Sequence, residues 1–308
     1  MNGPLSTRSS AQSLWMVVAS LCFAIMGACV KMGAPLFDPA ELVFYRGLIA
    51  TVALWGFIAW RGWPLTTPHW RTQLSRGVSG LVALVLFFFS LSNLPLATAV
   101  TLNYTSPLFF GLLLAFWSRE RLPSRLVLSL VLGFCGVVLL LQPTLHREQI
   151  WFAVGSLVSG FLAAVAYLNV RNLGDLGEPE WRTVFYFSVI TTLGALPWLA
   201  GSGSFHAVEG RGLAILLGVG IFGGMAQLAM TRAYRCGKTL VSASLAYTTV
   251  VFSVLLGAFV WDEVPALLSW LGMAVVVVSG VAASVSVGVA RPQRDARVSV
   301  IVGSGHSG

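Results

Sequence analysis

The amino-acid sequence predicts an all-α membrane protein whose ten transmembrane helices form two inverted five-helix repeats. Three observations predict this fold: the apolar composition, the spacing of the apolar runs and an internal repeat. Hydrophobic residues make up 56% of the chain and charged residues 10%, whereas soluble domains average roughly 45–50% and about 25%. Such a chain cannot cover itself with polar groups in water, so we expect the lipid bilayer to surround it.

Apolar runs of the length that crosses a bilayer, about 20 residues, recur along the 308-residue chain. They fall at about 14–33, 40–60, 75–93, 97–117, 124–141, 150–170, 183–200, 212–234, 239–261 and 266–288. Turn residues and charges separate them, and the connections are too short for a soluble domain. The first run follows a basic residue, as in a signal peptide, but it exceeds the roughly 7–15 apolar residues of a signal. It is therefore predicted as the first membrane helix.

An internal repeat appears when residues 101–120 are shifted by 143 positions onto residues 244–263. Nine of the twenty positions are identical: Leu102/Leu245, Tyr104/Tyr247, Thr105/Thr248, Phe109/Phe252, Leu112/Leu255, Leu113/Leu256, Ala115/Ala258, Phe116/Phe259 and Glu120/Glu263. This similarity predicts two fused copies of one unit, residues 14–142 and 150–288. The polar tails, residues 1–13 and 289–308, are predicted to be disordered.

The basic residues predict the orientation in the membrane. With the N-terminus inside, fifteen of the nineteen Lys and Arg residues fall on the cytoplasmic side, including Arg76 in a loop group with Arg61 and Arg71. Both termini are therefore expected in the cytoplasm, in a cell inner (plasma) membrane. Five spans per copy is an odd number, so the second copy is inverted, with Glu120 at the cytoplasmic end of span 4 and Glu263 at the external end of span 9.

Three motifs carry a resemblance to a known family. They are Asp38-Pro39-Ala40-Glu41-Leu42-Val43-Phe44-Tyr45-Arg46; Leu94-Pro95-Leu96-Ala97 followed by Tyr104-Thr105-Ser106-Pro107-Leu108; and Glu263 with Gly272 and Gly280. Over about residues 14–288 the chain resembles ten-span members of the drug/metabolite transporter superfamily, which have two EamA-like domains. The resemblance implies a secondary transporter, not driven by ATP, of small organic metabolites. Amino acids or their derivatives, nucleotide-like metabolites and drug-like compounds are the substrate classes that it implies.

Polar residues in spans 4 and 9 are the first candidates for a substrate site. They are Thr101, Tyr104 and Thr105 in span 4, and Ser244, Tyr247 and Thr248 in span 9. One interpretation is a pair of half-sites that meet between the copies and offer hydroxyl groups to a polar substrate. The other is hydrogen bonding between helices, a common role of Ser and Thr in membranes. The Tyr-Thr pair occurs in both copies, which favours the substrate site.

Arg46 is the most informative charge in the apolar runs. It lies eight residues past Asp38, which is about 12 Å along a helix, and a charge at that depth costs roughly 2.5–3.5 kcal/mol on insertion scales. The arginine could contact an anion or carboxylate in the permeation path. It could instead be structural, reaching the interface or neighbouring carbonyls. The second copy has Phe187 at the comparable position, and we weight the structural interpretation somewhat higher.

Five further residues complete the predicted substrate site. Aromatic and sulfur side chains in spans 1 and 3 are candidates for an apolar wall, and two polar side chains come from spans 6 and 8: Phe23, Met26, Phe88, Tyr167 and Gln227. Aromatic and Met side chains in membrane helices more often pack or face lipid, which is the alternative interpretation.

The residues missing from the spans restrict the mechanism. All eleven acidic residues and all four histidines fall in loops, tails or span ends, and a proton relay needs such a group inside the membrane. Facilitation or exchange is therefore expected in preference to tight proton coupling. An enzyme is not expected, because no span carries His, Asp or Glu near its middle. The four cysteines lack metal-ligand spacing, so neither a metal nor a cofactor is expected.

The expected partners are a small-molecule substrate and lipid. The net charge of +8 comes from single residues and small loop clusters, which suit lipid headgroups and not nucleic acid. A monomer is expected, because two fused copies can form a complete site. A non-transporting scaffold or receptor subunit is the alternative function, although it would not need polar residues repeated in both copies.

Overall fold

The computed structural model describes residues 10–94, 96–116, 123–143, 147–202, 206–262 and 266–286, and this part of the chain is helical throughout with no strand. After a short helix at Ser10–Ser13, the long helices are α1 (Trp15–Gly33), α2 (Pro39–Arg61), α3 (Trp70–Asn93), α4a (Leu96–Asn103), α4b (Ser106–Phe116), α5 (Ser124–Leu141), α6 (Ile150–Asp175), α7 (Glu180–Ser202), α8 (Gly210–Cys236), α9a (Thr239–Ala246), α9b (Thr248–Trp261) and α10 (Leu267–Ser286). A 3₁₀ turn, Arg147–Gln149, precedes α6. Glu120, Glu263 and most of both tails lie outside the described residues.

Nine helical stretches of the described chain are long and apolar enough to cross a membrane, and Leu267–Ala283 is a shorter apolar helix. Their positions follow the ten apolar runs of the sequence. The prediction of an all-α, multi-pass membrane protein is therefore confirmed for the described residues.

The start of α2 shows how local sequence sets a helix boundary. Asp38 and Glu41 form a capping box, in which the Asp38 backbone N–H donates to Glu41 Oε2 at 2.9 Å. Pro39 occupies the first helical position, where no N–H is needed. At the other end, Gly62 adopts a left-handed conformation (φ 63°) that a glycine takes without strain.

Helix α3 corrects the prediction for Arg76. The sequence predicts this residue in a cytoplasmic loop group, but α3 begins at Trp70 and places Arg76 inside the helix, with 2% of its surface exposed. The first two turns are polar on the face that meets the other helices, where Gln73 is also buried. Such a face lowers the hydropathy of the segment although it lies in the protein interior.

Spans 4 and 9 are each a continuous apolar run in the sequence, yet both helices are broken. The break in α4 falls at Tyr104–Thr105, and the break in α9 falls at Tyr247. In α4, Pro107 has no N–H for the carbonyl four residues earlier. In both helices a threonine hydroxyl turns back onto a backbone carbonyl: Thr105 onto Leu102 and Thr248 onto Leu245, each at 2.6 Å.

The helices pack in a regular set of pairs. The most extensive contacts join α1 with α8, α3 with α6, α2 with α7 and α5 with α10. Next come α1 with α9b, α4b with α6, α2 with α8 and α3 with α7. At the crossing of α5 and α10 the backbones nearly touch: a Cβ placed on Gly272 would lie 2.6 Å from Leu140 N and 2.7 Å from Gly136 O.

The loops group at two ends of the helix bundle. At one end Ser13 accepts from the Lys238 backbone N–H at 2.8 Å, Arg235 pairs with Glu180 at 2.8 Å, and Arg182 donates to Pro64 O at 2.9 Å. We call this end the N-terminal face. At the other end the first turn of α2 meets the loop after α7 through Glu41 and His206. The connections after α2, α6 and α8 therefore share one end, and those after α1 and α7 meet at the other.

Candidate functional site

Four tyrosines from different helices converge in the interior, and we call Tyr104, Tyr167, Tyr234 and Tyr247 the tyrosine layer. Tyr104 faces Tyr247 with 6.4 Å between ring centroids, and Tyr167 stacks on Tyr234 at 5.2 Å. Phe110 closes the layer with its ring edge-on to Tyr234 at 5.3 Å. Tyr234 and Tyr247 are 1% and 0% exposed. These helices thus bring aromatic rings of both halves of the chain into one cluster.

Several hydroxyl groups at and around this layer lack partners. Seven buried hydroxyls among the described residues make no hydrogen bond, and five of them lie at or near this layer: Thr101, Thr231, Tyr234, Ser244 and Tyr247. A buried hydroxyl without a partner costs about 1–3 kcal/mol. The arrangement therefore offers donors and acceptors that a polar ligand can satisfy. Three of the five, Thr101, Ser244 and Tyr247, belong to the predicted site.

Glycine and serine fix the position of Tyr247. A Cβ on Gly133 would lie 2.6 Å and 2.9 Å from two Tyr247 ring carbons and 2.8 Å from Ser279 Oγ. The ring therefore lies against the bare backbone of α5. This close contact buries the phenol completely and leaves little room for another ring orientation.

A second cluster, which we call the arginine layer, consists of Arg46, Arg76, Phe187 and Gln227. The guanidinium carbon of Arg76 lies 4.0 Å from the Phe187 ring centroid, and that of Arg46 lies 5.8 Å from the same centroid. Arg76 Nη2 donates to Gln227 Oε1 at 3.1 Å, and Arg76 Nε is buried without a partner. Two cations from α2 and α3 therefore share one ring of α7.

No described carboxylate pairs with either arginine. The ion pairs in the described chain join Arg171 to Asp175, Arg182 to Glu178, His206 to Glu41 and Arg235 to Glu180. Beside Arg46 and Phe187 a crevice of about 10 Å³ admits little more than a water molecule, and its walls include Gln227 and Thr191. The arginine layer is thus a region of uncompensated positive charge at a small polar opening.

The two layers are neighbours. Asn169 of α6 donates to Ser75 Oγ of α3 at 3.0 Å, which holds together the helix segments that carry Tyr167 and Arg76. Helix α8 contributes to both layers through Gln227 and Tyr234, seven residues apart. Seven residues correspond to about 10.5 Å along a helix. One helix therefore connects a cationic region with a hydroxyl-rich region over the length of a small metabolite.

Four other predicted site residues lie at the helix breaks, beside Arg46 or in the apolar core. The hydroxyls of Thr105 and Thr248 donate to backbone carbonyls at the helix breaks. The Met26 sulfur would lie 3.1 Å from a Cβ on Gly223, beside the stem of Arg46. Phe23 packs against the main apolar core.

Phe88 lies apart from both layers. Its ring packs edge-on against Trp198 of α7. It follows Arg76 by twelve residues, about 18 Å along α3. The structure therefore separates Phe88 from Arg76 along the helix that carries both.

Arg76, Tyr234 and Phe110 are absent from the site that the sequence predicts. For Arg76 a signal is present, since Trp70 is the type of residue that anchors a helix at the membrane interface and Arg76 follows it by six residues. Tyr234 shares one face of α8 with Gln227 at helical spacing. Phe110 has no such signal, because an apolar residue in an apolar helix does not indicate which helix it will meet.

A carboxylate–imidazole pair lies at the end of the bundle opposite the N-terminal face. Glu41 is 0% exposed, and its carboxylate accepts from the His206 backbone N–H and contacts His206 Nδ1, both at 2.8 Å. The hydrogen bond to Glu41 and then the negative charge of that carboxylate raise the pKa of the exposed His206 side chain, and Asp38 adds to the effect. This pair joins the start of α2 to the loop after α7 electrostatically.

Comparisons with known proteins place the chain among transporters. Residues 11–142 match the EamA-like transporter family. The chain is 31% identical over 271 residues to the Pseudopaline exporter CntI of Pseudomonas aeruginosa (strain UCBPP-PA14), covering 88% of this chain and 95% of that protein. It is 27% identical over 282 residues to a Riboflavin transporter of Vibrio cholerae serotype O1, covering 87% and 90%.

Two more comparisons agree. An S-adenosylmethionine uptake transporter of Rickettsia conorii is 24% identical over 235 residues, covering 73% of this chain and 76% of that protein. A solved crystal structure superposes with a TM-score of 0.81 at 18% identity, over 90% of this chain and 97% of that one, which shows the fold alone. The family and these relatives are transporters and not enzymes. The chain therefore belongs to the EamA-like transporter family of the drug/metabolite transporter superfamily.

Proposed function

We propose that this chain is a secondary transporter of small organic metabolites that alternates access through a site between two inverted five-helix repeats, residues 14–142 and 150–288. The contact between Tyr104 and Tyr247 carries the proposal. These residues are equivalent in the repeat, and equivalent residues that touch each other must lie beside the axis relating the two copies. A substrate bound there contacts both copies and senses their relative movement.

The pairing of the helices supports this symmetry. Adding five to a helix number of the first copy gives its equivalent in the second. Under that exchange, the contact of α1 with α8 becomes that of α6 with α3, and both are extensive. The contact of α2 with α8 likewise becomes that of α7 with α3, while α2–α7 and α5–α10 map onto themselves.

The broken helices support a substrate site at the same place. Discontinuous membrane helices at equivalent positions of two repeats are typical of transporter binding sites, because backbone groups freed at the break can reach a ligand. Here the breaks fall at the Tyr-Thr positions that the two copies share. The proposed substrate-contacting residues are accordingly those of the tyrosine layer and its hydroxyl neighbours, together with the arginine layer.

Three further features belong to the proposal. The transporter works as a monomer in a cell inner membrane with both termini in the cytoplasm, since the basic residues favour that side. Removing Arg76 from the count of loop residues leaves this bias intact. Transport proceeds by facilitation or exchange, because the buried carboxylates of the described chain, Glu41 in the first turn of α2 and Glu178 in the loop before α7, do not lie at either layer. Amino acids and related polar compounds are the proposed substrates.

The experiment is a thermal-shift screen of the detergent-purified protein against a metabolite library, followed by transport of the hits in proteoliposomes. A ligand that binds the folded state raises its melting temperature. The variant Tyr247→Phe removes a hydroxyl that has no partner in the described residues, so its unliganded melting temperature should equal or exceed that of wild type. The ligand-induced shift should fall.

Tyr186→Phe is the matched control. Its hydroxyl donates to Leu65 O at 3.0 Å, in a loop at the N-terminal face. This variant should lose stability while keeping the full ligand-induced shift. Ligand shifts that are unchanged in both Tyr104→Phe and Tyr247→Phe would place the site elsewhere. A folded protein that binds and transports none of the library would contradict the proposed function.

A further inference from the structure

We propose that Arg46 and Arg76 together bind a carboxylate group of the transported metabolite, so that the substrates of this chain are organic acids or zwitterions. This inference rests on the proposed function and names its substrate class. The sequence indicates Arg46 alone and favours a structural role for it. The structure adds Arg76, whose guanidinium approaches the same Phe187 ring from another helix.

The first argument is the balance of charge. Two guanidinium groups lie inside the bundle, and no described carboxylate neutralises either. Each buried charge is costly in a membrane, and the two repel each other. An anion that binds between them removes both costs, so the site itself favours a negatively charged group.

The second argument is that the protein satisfies these cations only in part. Arg76 uses one N–H for Gln227 and leaves Nε without a partner, and Phe187 interacts with both guanidiniums. A ring contact attracts a cation without neutralising its charge, and one ring is shared by two cations here. A guanidinium has five N–H donors in a planar fork that fits a carboxylate, so most of this capacity is unused.

The third argument concerns the surroundings. Glycines of α8 line the opening, and Gly223 contacts the stem of Arg46, where a Cβ would lie 3.2 Å from Arg46 Cγ. The present opening has room for no more than a water molecule, so a carboxylate enters when the Arg46 side chain moves along this glycine surface. From there a substrate about 10 Å long reaches the unpaired hydroxyl groups of the tyrosine layer.

Acetate is the probe, because it is the smallest carboxylate of this kind, and acetamide is its neutral counterpart of the same shape. We expect sodium acetate to raise the melting temperature of the purified protein in a saturable way, and acetamide with sodium chloride at equal ionic strength to leave it unchanged. In Arg46→Gln and Arg76→Gln the apparent acetate affinity should fall about tenfold or more. The exposed Arg211→Gln variant removes one positive charge elsewhere and should respond like wild type.

A second variant pair tests the charge balance without any ligand. Gln227→Glu places a carboxylate at hydrogen-bond distance from Arg76. This internal counter-ion should raise the melting temperature of the unliganded protein and abolish the acetate response. The similarly long but neutral Gln227→Met removes the hydrogen bond to Arg76 without adding a charge, and it should lower that melting temperature instead.

Several outcomes would overturn the inference. One is acetate stabilising no more than acetamide, and another is Gln227→Glu being less stable than wild type. Wild-type transport of a neutral metabolite that is undiminished in Arg46→Gln would leave the proposed function standing and remove the carboxylate site. An acetate response without transport of any metabolite would instead retain the anion site and contradict the proposed function.

Discussion

Thr105 and Thr248 make the same hydrogen bond in the two halves of the chain. Each hydroxyl donates to the carbonyl three residues earlier, Leu102 in one case and Leu245 in the other, and both distances are 2.6 Å. Only the first half has a proline at this point, Pro107. The shared feature of the two helix breaks is therefore the threonine hydroxyl, which adds a hydrogen bond to a carbonyl beside the break.

We expect Thr105→Val and Thr248→Val to destabilise the protein by similar amounts. Each removes one hydrogen bond at a break while nearly keeping side-chain volume, a loss of about 0.5–1.5 kcal/mol. Thermal unfolding monitored by tryptophan fluorescence measures the change. The control is Thr51→Val, because the Thr51 hydroxyl is buried without a partner in the described chain; its removal should be neutral or stabilising. Equal losses in all three variants would contradict this role of the break hydroxyls.

Gly133→Ala should weaken both the fold and the proposed substrate site. The new methyl group would lie 2.6 Å from a Tyr247 ring carbon and 2.8 Å from Ser279 Oγ, and overpacking of this kind costs about 1–3 kcal/mol. The melting temperature and the ligand-induced shift should both fall. Gly111→Ala, where the added carbon meets Leu130 at an ordinary 3.5 Å, should change neither. An unchanged Gly133→Ala protein would mean that the Tyr247 ring can move freely.

The Glu41–His206 pair predicts a pH dependence of stability. The pKa of His206 is raised in the folded protein, so His206 binds its proton more tightly in the folded than in the unfolded state. The stability that this protonation contributes is complete below about pH 6.5, the ordinary pKa of histidine. It is lost as the pH rises through the raised pKa of the folded state. The melting temperature of wild type should therefore decline over this interval relative to His206→Gln. In Glu41→Gln the histidine remains without its partner carboxylate, and the decline should shrink; a decline of wild-type size there would assign it to another group.

Glu178 should be a strong stabiliser of the N-terminal face. Its buried carboxylate accepts from Arg182 at 2.9 Å and from Thr67 at 2.5 Å, which joins the loop before α7 to the loop before α3. Glu178→Gln removes a hydrogen-bonded charge, and we expect a loss of about 1.5–3 kcal/mol in thermal unfolding. Asp175→Asn is the comparison, since the Asp175 side chain is 53% exposed and 4.0 Å from Arg171. A surface pair of that kind contributes about 0–1 kcal/mol, and a larger loss in Asp175→Asn than in Glu178→Gln would contradict the assignment.

Helix positions follow from the sequence because a membrane-crossing helix needs a long apolar run. The 143-residue shift makes Tyr104 and Tyr247 equivalent, but equivalence alone does not bring two residues into contact, and their meeting is seen only in the structure. The buried position of Arg76 cannot be predicted from the sequence. The polar residues around it resemble a loop, and only the packing of other helices against them shows that they are buried. The break in α9 cannot be predicted either, because the sequence around it contains neither Pro nor Gly. The contact of Glu41 with His206 joins residues 165 positions apart, and no local pattern encodes such a meeting.

The crossing of α5 and α10 sets a limit on how the two copies move in the proposed mechanism. Backbone atoms meet there around Gly136 and Gly272, so the two helices have no side-chain layer over which to slide. The movement that remains is a rotation of one copy against the other about this crossing, which then acts as the pivot. Displacement then grows with the lever arm, so the helices farthest from this point open the widest passage. A small angular change at two glycines is thereby enough to admit or release a molecule at the other side of the bundle.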